Sequence, residues 1–323
     1  MRTIAIVAGG NSSEYGISVK SAAEALKVLS PAYSAYIIMI RGTNWYWEDS
    51  KGRCYGIDKN DFTLKLDDER IRFDAVFMAI HGSPGENGLL QGYFDMLQIP
   101  YTSCSAFCSA LTFNKQACKL YLKEYGIPMA AAILIRRNDE IAPEEIVKNI
   151  GLPCFIKPND SGSSFGVTKV KTEEEIMPAI MKAFEESDEV MAEAFMKGRE
   201  VACGVVKTSK KTLILPVSEI ISKNEFFDYE AKYTPGKSDE VTPADLSEEM
   251  AGKIQDLSSR IYDLLGCKGI VRVDFIITGE EPWFLEINSV PGMTMESLIP
   301  KQVEAAGIDL LDIYSMVIED LFV

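Results

Sequence analysis

Two strand-like runs near the end of the chain carry side chains that could hold a divalent cation. Strand side chains alternate, so Arg272 and Asp274 share one face of the first run, and Glu286 and Asn288 share one face of the second. If positions 278 and 282 pair across the turn at 279–282, Asp274 lies opposite Glu286. Two carboxylates and an amide oxygen suit Mg²⁺, which neutralises their repulsion. A solvent-facing hairpin has the same alternation, so the pattern alone leaves both interpretations open.

A loop rich in Gly and Ser between two other predicted strands could bind phosphate. It runs Lys157-Pro-Asn-Asp-Ser-Gly-Ser-Ser-Phe-Gly166, with the lysine at the end of the first strand. Small residues let backbone N–H groups approach an anion, and the hydroxyl groups add hydrogen-bond donors. The loop lacks the GxxxxGK[ST] pattern of a Walker A motif, and a flexible turn is the alternative interpretation.

Three shorter segments also combine polar side chains with turn residues. Lys232 and Tyr233 place a cation and a phenol in a predicted loop, although such a pair is often ordinary surface. Glu14 follows a Gly-Gly turn at a strand end, where it could equally cap the next helix. Gly292 follows a proline in a tight turn whose amide could face a ligand, and Ser297 could cap the last helix.

The elements that position these residues predict three units. Apolar runs that alternate with a helical pattern, and that end in Gly-Gly and His-Gly, predict an α/β domain with a doubly wound parallel sheet over about residues 1–100. Its predicted elements are strands Thr3–Ala8, Ser34–Ile40 and Phe73–Ile80 and a helix Ser18–Leu29. Later elements are helices Ser109–Glu124, Thr172–Glu186 and Ser247–Leu265, strands Leu152–Ile156, Val167–Val170 and Val190–Ala194, and the hairpin. Thr172 and Glu175 form the pattern of a capping box.

Composition excludes several functional classes. The 323 residues have a net charge of −15, so neither nucleic-acid binding nor a polybasic membrane anchor is expected. No run approaches the roughly 20 apolar residues of a membrane span, and the first apolar run is too short for a signal-peptide core. The single histidine, His81, rules out a zinc site built on several imidazoles. The seven cysteines, without a CxxC pair, are expected to be small buried residues in a reducing, cytoplasmic compartment.

Taken together, these segments resemble the D-alanine–D-alanine ligases of the ATP-grasp superfamily, nearly from end to end. The matching segments are Gly9-Gly-Asn-Ser-Ser-Glu14, His81-Gly-Ser-Pro-Gly-Glu-Asn-Gly-Leu-Leu-Gln-Gly92, Ile99-Pro-Tyr-Thr102, Lys157-Pro…Gly162-Ser-Ser-Phe-Gly166, Asp228-Tyr-Glu-Ala-Lys-Tyr233, Arg272-Val-Asp274 and Glu286-Ile-Asn-Ser-Val-Pro-Gly-Met-Thr294…Ser297-Leu-Ile-Pro300. The resemblance implies a three-domain ATP-grasp fold. Its N-terminal substrate domain would cover 1–100, and two α+β subdomains would cover 101–188 and 189–323 and hold ATP between them.

The resemblance also implies a role for each matching residue. Metal ligands for two Mg²⁺ ions, or Mn²⁺, would be Asp274, Glu286 and Asn288. The residues implied for ATP are Lys115, Lys157 and Lys232 at the phosphates, Glu193 and Met196 at the adenine, and Glu200 at the ribose. The residues implied for catalysis are Arg272 and the Gly292 amide at an oxyanion, with Glu14, Ser163 and Tyr233 as a network that places the first D-alanine. The residues implied for substrate are His81 near the first D-alanine, and Ser297 and Leu298 at the second carboxylate.

The implied reaction joins two D-alanines through an acyl phosphate, with ADP and phosphate released, for peptidoglycan synthesis. A related ligase with a different second substrate, such as D-serine or another D-amino acid, is the alternative. Tyr233 favours D-alanine over D-lactate as the second substrate by analogy with the family. The resemblance further implies a homodimer. Because water would hydrolyse the acyl phosphate, the reaction requires a lid, and the segment Tyr229–Asp239 is the candidate for it.

Overall fold

Three β-sheets and the helices packed on them form the described part of the chain. The structure is a computed structural model, and it describes residues 1–67, 69–162, 165–222 and 238–323. Its helices are α1 Tyr15–Leu29, α2 Leu89–Leu97, α3 Ala106–Phe113, α4 Lys115–Lys123, α5 Pro143–Ile150, α6 Ile176–Ala183, α7 Glu248–Leu264, α8 Leu298–Ala305 and α9 Leu310–Asp320. Its strands are β1 Thr3–Gly9, β2 Ser34–Arg41, β3 Asn44–Glu48, β4 Cys54–Asp58, β5 Thr63–Leu66, β6 Glu69–Ile71, β7 Ala75–Met78, β8 Ala132–Arg136, β9 Cys154–Pro158, β10 Thr168–Val170, β11 Glu189–Ala194, β12 Arg199–Lys207, β13 Thr212–Ile214, β14 Ser218–Ser222, β15 Ser238–Val241, β16 Gly269–Thr278 and β17 Glu281–Asn288.

The first sheet has seven strands in the order β6-β5-β4-β3-β2-β1-β7. Only β2, β1 and β7 are parallel, and β3 to β6 extend the sheet as an antiparallel meander. The prediction of a parallel sheet is therefore correct for the strands that lead to the Gly-Gly and His-Gly turns. It is wrong for residues 44–71, where aromatic side chains such as Trp45 and Trp47 form a partly buried layer.

Alternation along β1 supplies two separate hydrophobic cores, one on each face of the first sheet. Ile4 and Ile6 are buried on the face that carries α1 and α9, whereas Val7 is buried on the face that carries α2. Tyr314 of α9 packs on Phe77 of β7 with ring centroids 4.9 Å apart. The last helix of the chain therefore packs against the first sheet, whose strands lie more than 200 residues earlier in the sequence.

The second sheet has the order β10-β9-β11-β8, and the third has the order β15-β14-β12-β16-β17 with β13 beside β12. Strand β11 pairs with both β8 and β9. The sequence-based division at residue 189 assigned this strand to the last subdomain, and its hydrogen bonds correct that assignment. We therefore propose a division after Ala194, in the connection between β11 and β12, with the other boundaries unchanged.

The β16–β17 hairpin differs in detail from its predicted register. The turn is one residue tighter than expected, because Thr278 pairs with Glu281 instead of Pro282. A β-bulge between the Asp274 and Phe275 pairs then shifts the register by one residue and places Asp274 opposite Glu286. The predicted pairing of the two carboxylates is therefore confirmed, although the predicted turn and the regular register were wrong.

One predicted helix is broken and another is preceded by a tighter turn. Asn114 interrupts the predicted helix over 109–124, and its side chain accepts a hydrogen bond from the Ala117 amide to begin α4. The predicted capping box of Thr172 and Glu175 is present, but it opens a 3₁₀ turn that leads into α6. Among the described residues, no helix is long and apolar enough to cross a membrane.

Candidate active site

A cavity of about 1010 Å³ brings together residues of the second and third sheets with α1 and the loops that adjoin the first sheet. Of the residues singled out from the sequence, fourteen line it: Glu14, His81, Lys115, Lys157, Glu193, Met196, Glu200, Arg272, Asp274, Glu286, Asn288, Gly292, Ser297 and Leu298. Ser163, Lys232 and Tyr233, and nearly all of the predicted lid, lie outside the described residues. Segments that are far apart in sequence therefore converge on one cavity.

The hairpin presents a charged face to this cavity and an apolar face to the protein core. Arg272 donates from Nε and Nη2 to the two carboxylate oxygens of Asp274, both at 2.7 Å. The Asn288 amide donates to Asp274 Oδ2 at 3.1 Å. Val273 and Phe275, which point the other way, are fully buried. The core side of β16 therefore holds the strand while the opposite side supplies hydrogen-bonding groups.

Charge favours an ionised Arg272–Asp274 pair although the pair is buried. Burial by itself lowers the pKa of the Arg272 guanidinium, but Asp274, Glu286 and Glu240 raise it above the usual value. A bidentate guanidinium in turn favours the ionised form of a carboxylate. Asp274, Glu286 and Asn288 together offer a hard oxygen donor set of the kind that Mg²⁺ prefers.

Lys115 connects the Gly/Ser-rich loop after β9 to the hairpin. Its Nζ donates to the Ser161 carbonyl at 2.6 Å and lies 3.7 Å from Glu286 Oε2. Its backbone amide donates to the Asn159 carbonyl at 2.9 Å, which ties the start of α4 to the end of β9. The break at position 114 therefore places this amine between the loop and the carboxylates.

A buried ion triad joins β9, α4 and β11, and its third member, Lys119, was not predicted. Lys157 Nζ lies 2.6 Å from Glu193 Oε2, and Lys119 contacts the other oxygen, Oε1. Burial favours the neutral forms, and it lowers the pKa of Lys119 despite Glu193. The two lysines outweigh burial at Glu193, whose pKa is lowered. Lys119 follows Lys115 by four residues on one helix face, and this spacing was the available signal.

The Glu14 carboxylate lies close to the backbone of two glycines, Gly162 and Gly82. A Cβ added to Gly162 would be 2.3 Å from Glu14 Oε2, and one added to Gly82 would be 2.9 Å from the same atom. Gly82 also has φ +68°, a conformation that favours glycine. These glycines, one in the loop after β9 and one in the turn after β7, leave room for the Glu14 side chain, and this residue is only 7% exposed.

His81 joins the first sheet to the loop that carries Gly292. Its Nδ1 lies 2.8 Å from the Val290 carbonyl, and its Nε2 lies 2.9 Å from Ser21 Oγ. Burial lowers the pKa of His81, although the Glu14 carboxylate opposes this shift. A neutral ring that donates from Nδ1 accepts from the Ser21 hydroxyl at Nε2, and Ser21 Oγ in turn accepts from the Met293 amide at 3.5 Å.

Glu86 also holds the loop that carries Gly292, through the Val290 amide. The sequence analysis did not single out this residue. Its Oε1 accepts from the Val290 amide at 3.3 Å, and its Oε2 accepts from the Gly82 amide at 2.7 Å. Burial, reinforced by the Glu14 carboxylate, raises the pKa of Glu86 to about 8. Glu86 lies inside the His81–Gly92 motif, so the segment was noticed but its buried acid was not assigned a role.

The remaining predicted residues line the cavity from the loop before α8 and from the connection between β11 and β12. Ser297 precedes α8 without capping it, because its hydroxyl instead lies 2.8 Å from Thr294 Oγ1. A Cβ on Gly292 would be 2.7 Å from Ser297 Oγ, so this turn admits only glycine without rearrangement. Met196 lies in the connection between β11 and β12, and Glu200 lies in β12. These two residues mark the junction of the second and third sheets.

Comparison with known proteins agrees with this arrangement. Residues 3–104 match the family model "D-ala D-ala ligase N-terminus", and residues 121–319 match "D-ala D-ala ligase C-terminus". The D-alanine–D-alanine ligase of Phocaeicola vulgatus is 54% identical over 323 residues, and that of Bacteroides fragilis is 49% identical over the same length. Each alignment covers 99% of both chains.

Solved structures share the complete fold. D-alanyl-alanine synthetase A of Vibrio cholerae has a TM-score of 0.89 at 30% identity, with 100% of this chain and 99% of that chain covered. The VanG D-Ala:D-Ser ligase of Enterococcus faecalis has a TM-score of 0.88 at 33% identity and 99% coverage of both chains. The Bacillus anthracis D-alanine–D-alanine ligase complexed with ATP has a TM-score of 0.79 at 28% identity, with 100% of this chain and 98% of that chain covered. With both domain families matched along its length, the chain belongs to the D-alanine–D-alanine ligase family.

Proposed function

We propose that this protein joins two D-alanine molecules into D-alanyl-D-alanine, at the expense of ATP, for peptidoglycan synthesis. The observation that carries the proposal is the shared cavity, in which the Arg272–Asp274 pair, Lys115 and Lys157 lie together with the Glu14 and His81 region. ATP-dependent ligation needs phosphate-binding cations, an oxyanion site and an amino-acid site close together, and this cavity has residues for each.

The first step is the transfer of the ATP γ-phosphoryl group to the carboxylate of one D-alanine. A free carboxylate is a poor acylating agent, and its acyl phosphate is a good one. Lys115 and Lys157 contribute positive charge where negative charge accumulates on the transferred phosphoryl group. Glu193 holds Lys157 in position from behind. Met196 and Glu200, at the junction of the second and third sheets, are proposed to contact the adenine and the ribose.

We infer that Asp274, Glu286 and Asn288 hold two Mg²⁺ ions, for which Mn²⁺ can substitute. When bound, the ions supply positive charge to the terminal phosphates of ATP. The support is chemical, because the three side chains offer hard oxygen ligands on one face of the hairpin. Arg272 orients the Asp274 carboxylate by holding both of its oxygens.

The second step is the attack of the amine of another D-alanine on the acyl phosphate. The tetrahedral intermediate carries an oxyanion, which we propose is stabilised by the Arg272 guanidinium and the Gly292 amide. His81 and Glu86 hydrogen-bond to the Val290 carbonyl and amide respectively, so they hold the loop that carries this amide. Phosphate leaves as the peptide bond forms, and ADP remains as the other product.

We further propose where the two amino acids bind. Glu14 and His81 would contact the first D-alanine, and Ser297 with Leu298 would hold the carboxylate of the second. Ser163 and Tyr233 would complete the network with Glu14, Lys232 would contact ATP, and the segment 229–239 would close over the site. These last assignments follow from family membership alone.

The exposed apolar side chains of α2 and α3 support a homodimer. Leu89, Met96 and Phe107 are strongly exposed, and the two helices pack on each other. We propose this face as the contact between two copies, which light scattering of Phe107→Glu would test by loss of the dimer mass. All seven cysteines are unpaired, which supports a reducing, cytoplasmic location.

Product analysis tests the proposed function directly. The purified enzyme is incubated with ATP, Mg²⁺ and D-alanine, alone or with D-serine or D-lactate, and products are identified by mass spectrometry. D-alanyl-D-alanine and one ADP per dipeptide are expected, with little mixed product. ADP release without a dipeptide, or a preference for the mixed D-alanyl-D-serine product, would overturn the assignment of D-alanine as second substrate.

A further inference from the structure

Three cysteines that take no part in the ligase chemistry form a compact sulfur cluster outside the cavity. The Sγ atoms of Cys104, Cys108 and Cys267 all lie within 4.8 Å of one another, and Cys108 and Cys267 are 3.7 Å apart. All three side chains are buried. Six of the seven cysteines are buried, as the sequence indicates, but burial alone does not explain why three of them converge at one point.

The sulfur spacing matches that of a metal–thiolate site. Metal–sulfur bonds of about 2.3 Å place the sulfurs about 3.8 Å apart in a tetrahedron and about 4.0 Å apart in a trigonal plane. The Cys108–Cys267 distance is already close to these values, and the third sulfur needs at most a small rotamer adjustment. Thiolates select thiophilic cations over the hard Mg²⁺ ion that the catalytic site requires.

Two features beside the cluster would stabilise sulfur ligands once a cation is bound. The Lys268 amide donates to Cys104 Sγ at 3.4 Å, the kind of N–H···S contact that stabilises sulfur ligands. Cys108 lies in the first turn of α3, where the helix dipole favours negative charge.

Coordination number distinguishes between the candidate cations. Among the described residues, the cluster contains no fourth Cys, His, Asp or Glu ligand. The one histidine of the chain is committed to Ser21 and Val290. Zinc sites normally have four ligands, whereas Cu⁺ accepts soft thiolate ligands without that requirement.

We propose that Cys104, Cys108 and Cys267 form a three-coordinate thiolate site for one thiophilic cation, with Cu⁺ as the fitting ion. Binding releases the thiol protons and changes no oxidation state. The bound ion would connect α3 to the start of β16, and so connect the segment before Lys115 to the strand that carries Arg272. Because the ion binds the folded protein, it stabilises that form.

Metal titration of the full-length protein under anaerobic, reducing conditions tests the site. Cu⁺ is added alone against a colorimetric Cu⁺ chelator, and a parallel titration uses Zn²⁺ against a zinc chelator. One Cu⁺ per chain is expected, with three sulfur neighbours at about 2.3 Å by X-ray absorption and a higher unfolding temperature. Cys267→Ser should bind Cu⁺ at least about 100-fold more weakly, since losing even an indirect partner of a metal ligand costs 10–100-fold.

Two cysteines outside the cluster provide matched controls. Cys154→Ser changes a buried thiol and Cys54→Ser an exposed one, and both should retain the full affinity of the wild type. The proposed site would be overturned if the wild-type protein did not bind one Cu⁺ per chain. It would also be overturned if Cys154→Ser lost as much Cu⁺ affinity as Cys267→Ser. Preferential Zn²⁺ binding would overturn the three-coordinate assignment. The titration and the X-ray absorption spectrum of the wild-type protein do not depend on any variant. They therefore decide the question even if Cys267→Ser does not fold.

Discussion

Replacing Glu193 by Gln separates two possible roles of this residue. Family resemblance implies that Glu193 contacts the adenine of ATP, whereas in the structure both carboxylate oxygens are taken by Lys157 and Lys119. The substitution conserves shape but removes the negative charge between two buried amines. The charge of the triad rises from +1 to +2, so a structural role predicts a loss of stability even without ATP.

Two estimates of the size of this loss agree. Glu193 offsets the repulsion between the two amines, which contact opposite oxygens of its carboxylate and so lie roughly 5 Å apart. Left uncompensated, this repulsion is about 3 kcal/mol at an effective dielectric of about 20. Breaking a buried ion pair by removing one partner costs about 3–5 kcal/mol. At about 2 °C per kcal/mol for a large domain, the unfolding temperature should fall by about 6–10 °C.

The pH dependence of this loss gives a second signature. Burial already lowers the pKa of Lys119 in the wild type, and removal of Glu193 lowers it further. A lysine whose pKa is lower in the folded than in the unfolded state loses its proton on folding, so stability rises with pH. The deficit of Glu193→Gln should therefore shrink as the pH rises above neutral.

Scanning calorimetry of the ligand-free variants across pH measures both effects. Glu185→Gln, an exposed substitution with the same charge change, should unfold like the wild type. Lys119→Met added to Glu193→Gln should recover most of the lost stability, because only one buried amine remains. An unchanged unfolding temperature for Glu193→Gln, together with a raised KM for ATP, would refute the structural role and support adenine contact.

Three further substitutions test other parts of the site. Glu286→Gln should leave a folded protein whose kcat falls at least about 100-fold, and near-normal turnover would remove it from the metal ligands. Gly162→Ala should raise the KM for D-alanine several-fold, because the added Cβ would displace the Glu14 carboxylate. Gly16→Ala is the control, since a Cβ there has no atom within 4 Å and should leave the KM unchanged. Equal KM values for the two variants would contradict the contact between Gly162 and Glu14. Glu86 has a pKa raised to about 8, so its contribution to stability is complete below its ordinary value and is lost as the pH rises through about 8. Glu86→Gln should flatten this part of the stability–pH curve, and an unaltered curve would exclude Glu86 as its source.

Features that depend on neighbouring residues could be predicted from the sequence. The start of α7 is an example, because Ser247 caps it by accepting from the Met250 amide three residues later. The capping box of Thr172 and Glu175 is another. Both interactions are complete within one turn of chain, so the residue types specify them without knowledge of the tertiary structure.

Features that depend on distant partners were missed. Nothing within β11 distinguishes pairing with β8 and β9 from pairing with β12, because an apolar strand is compatible with either sheet. Lys119 resembles a surface lysine until Glu193 is brought beside it. Likewise, Glu86 acquires its raised pKa only when the turn after β7 and the loop at Val290 enclose it.

The hairpin shows why a correct site can follow from an incorrect register. With the observed turn and no bulge, Asp274 would lie opposite Leu285, and Glu286 would lie opposite Val273, whose side chain belongs to the core. The β-bulge adds one residue, so Leu285 and Glu286 both line the cavity. A regular ladder built on this turn cannot place the two carboxylates together, so the bulge is a requirement of the proposed metal site. Alternation was therefore a reliable guide for Arg272 with Asp274 and for Glu286 with Asn288, which lie on one side of the bulge, but it fails between Leu285 and Glu286. Pairing between the strands needed the geometry of the folded chain.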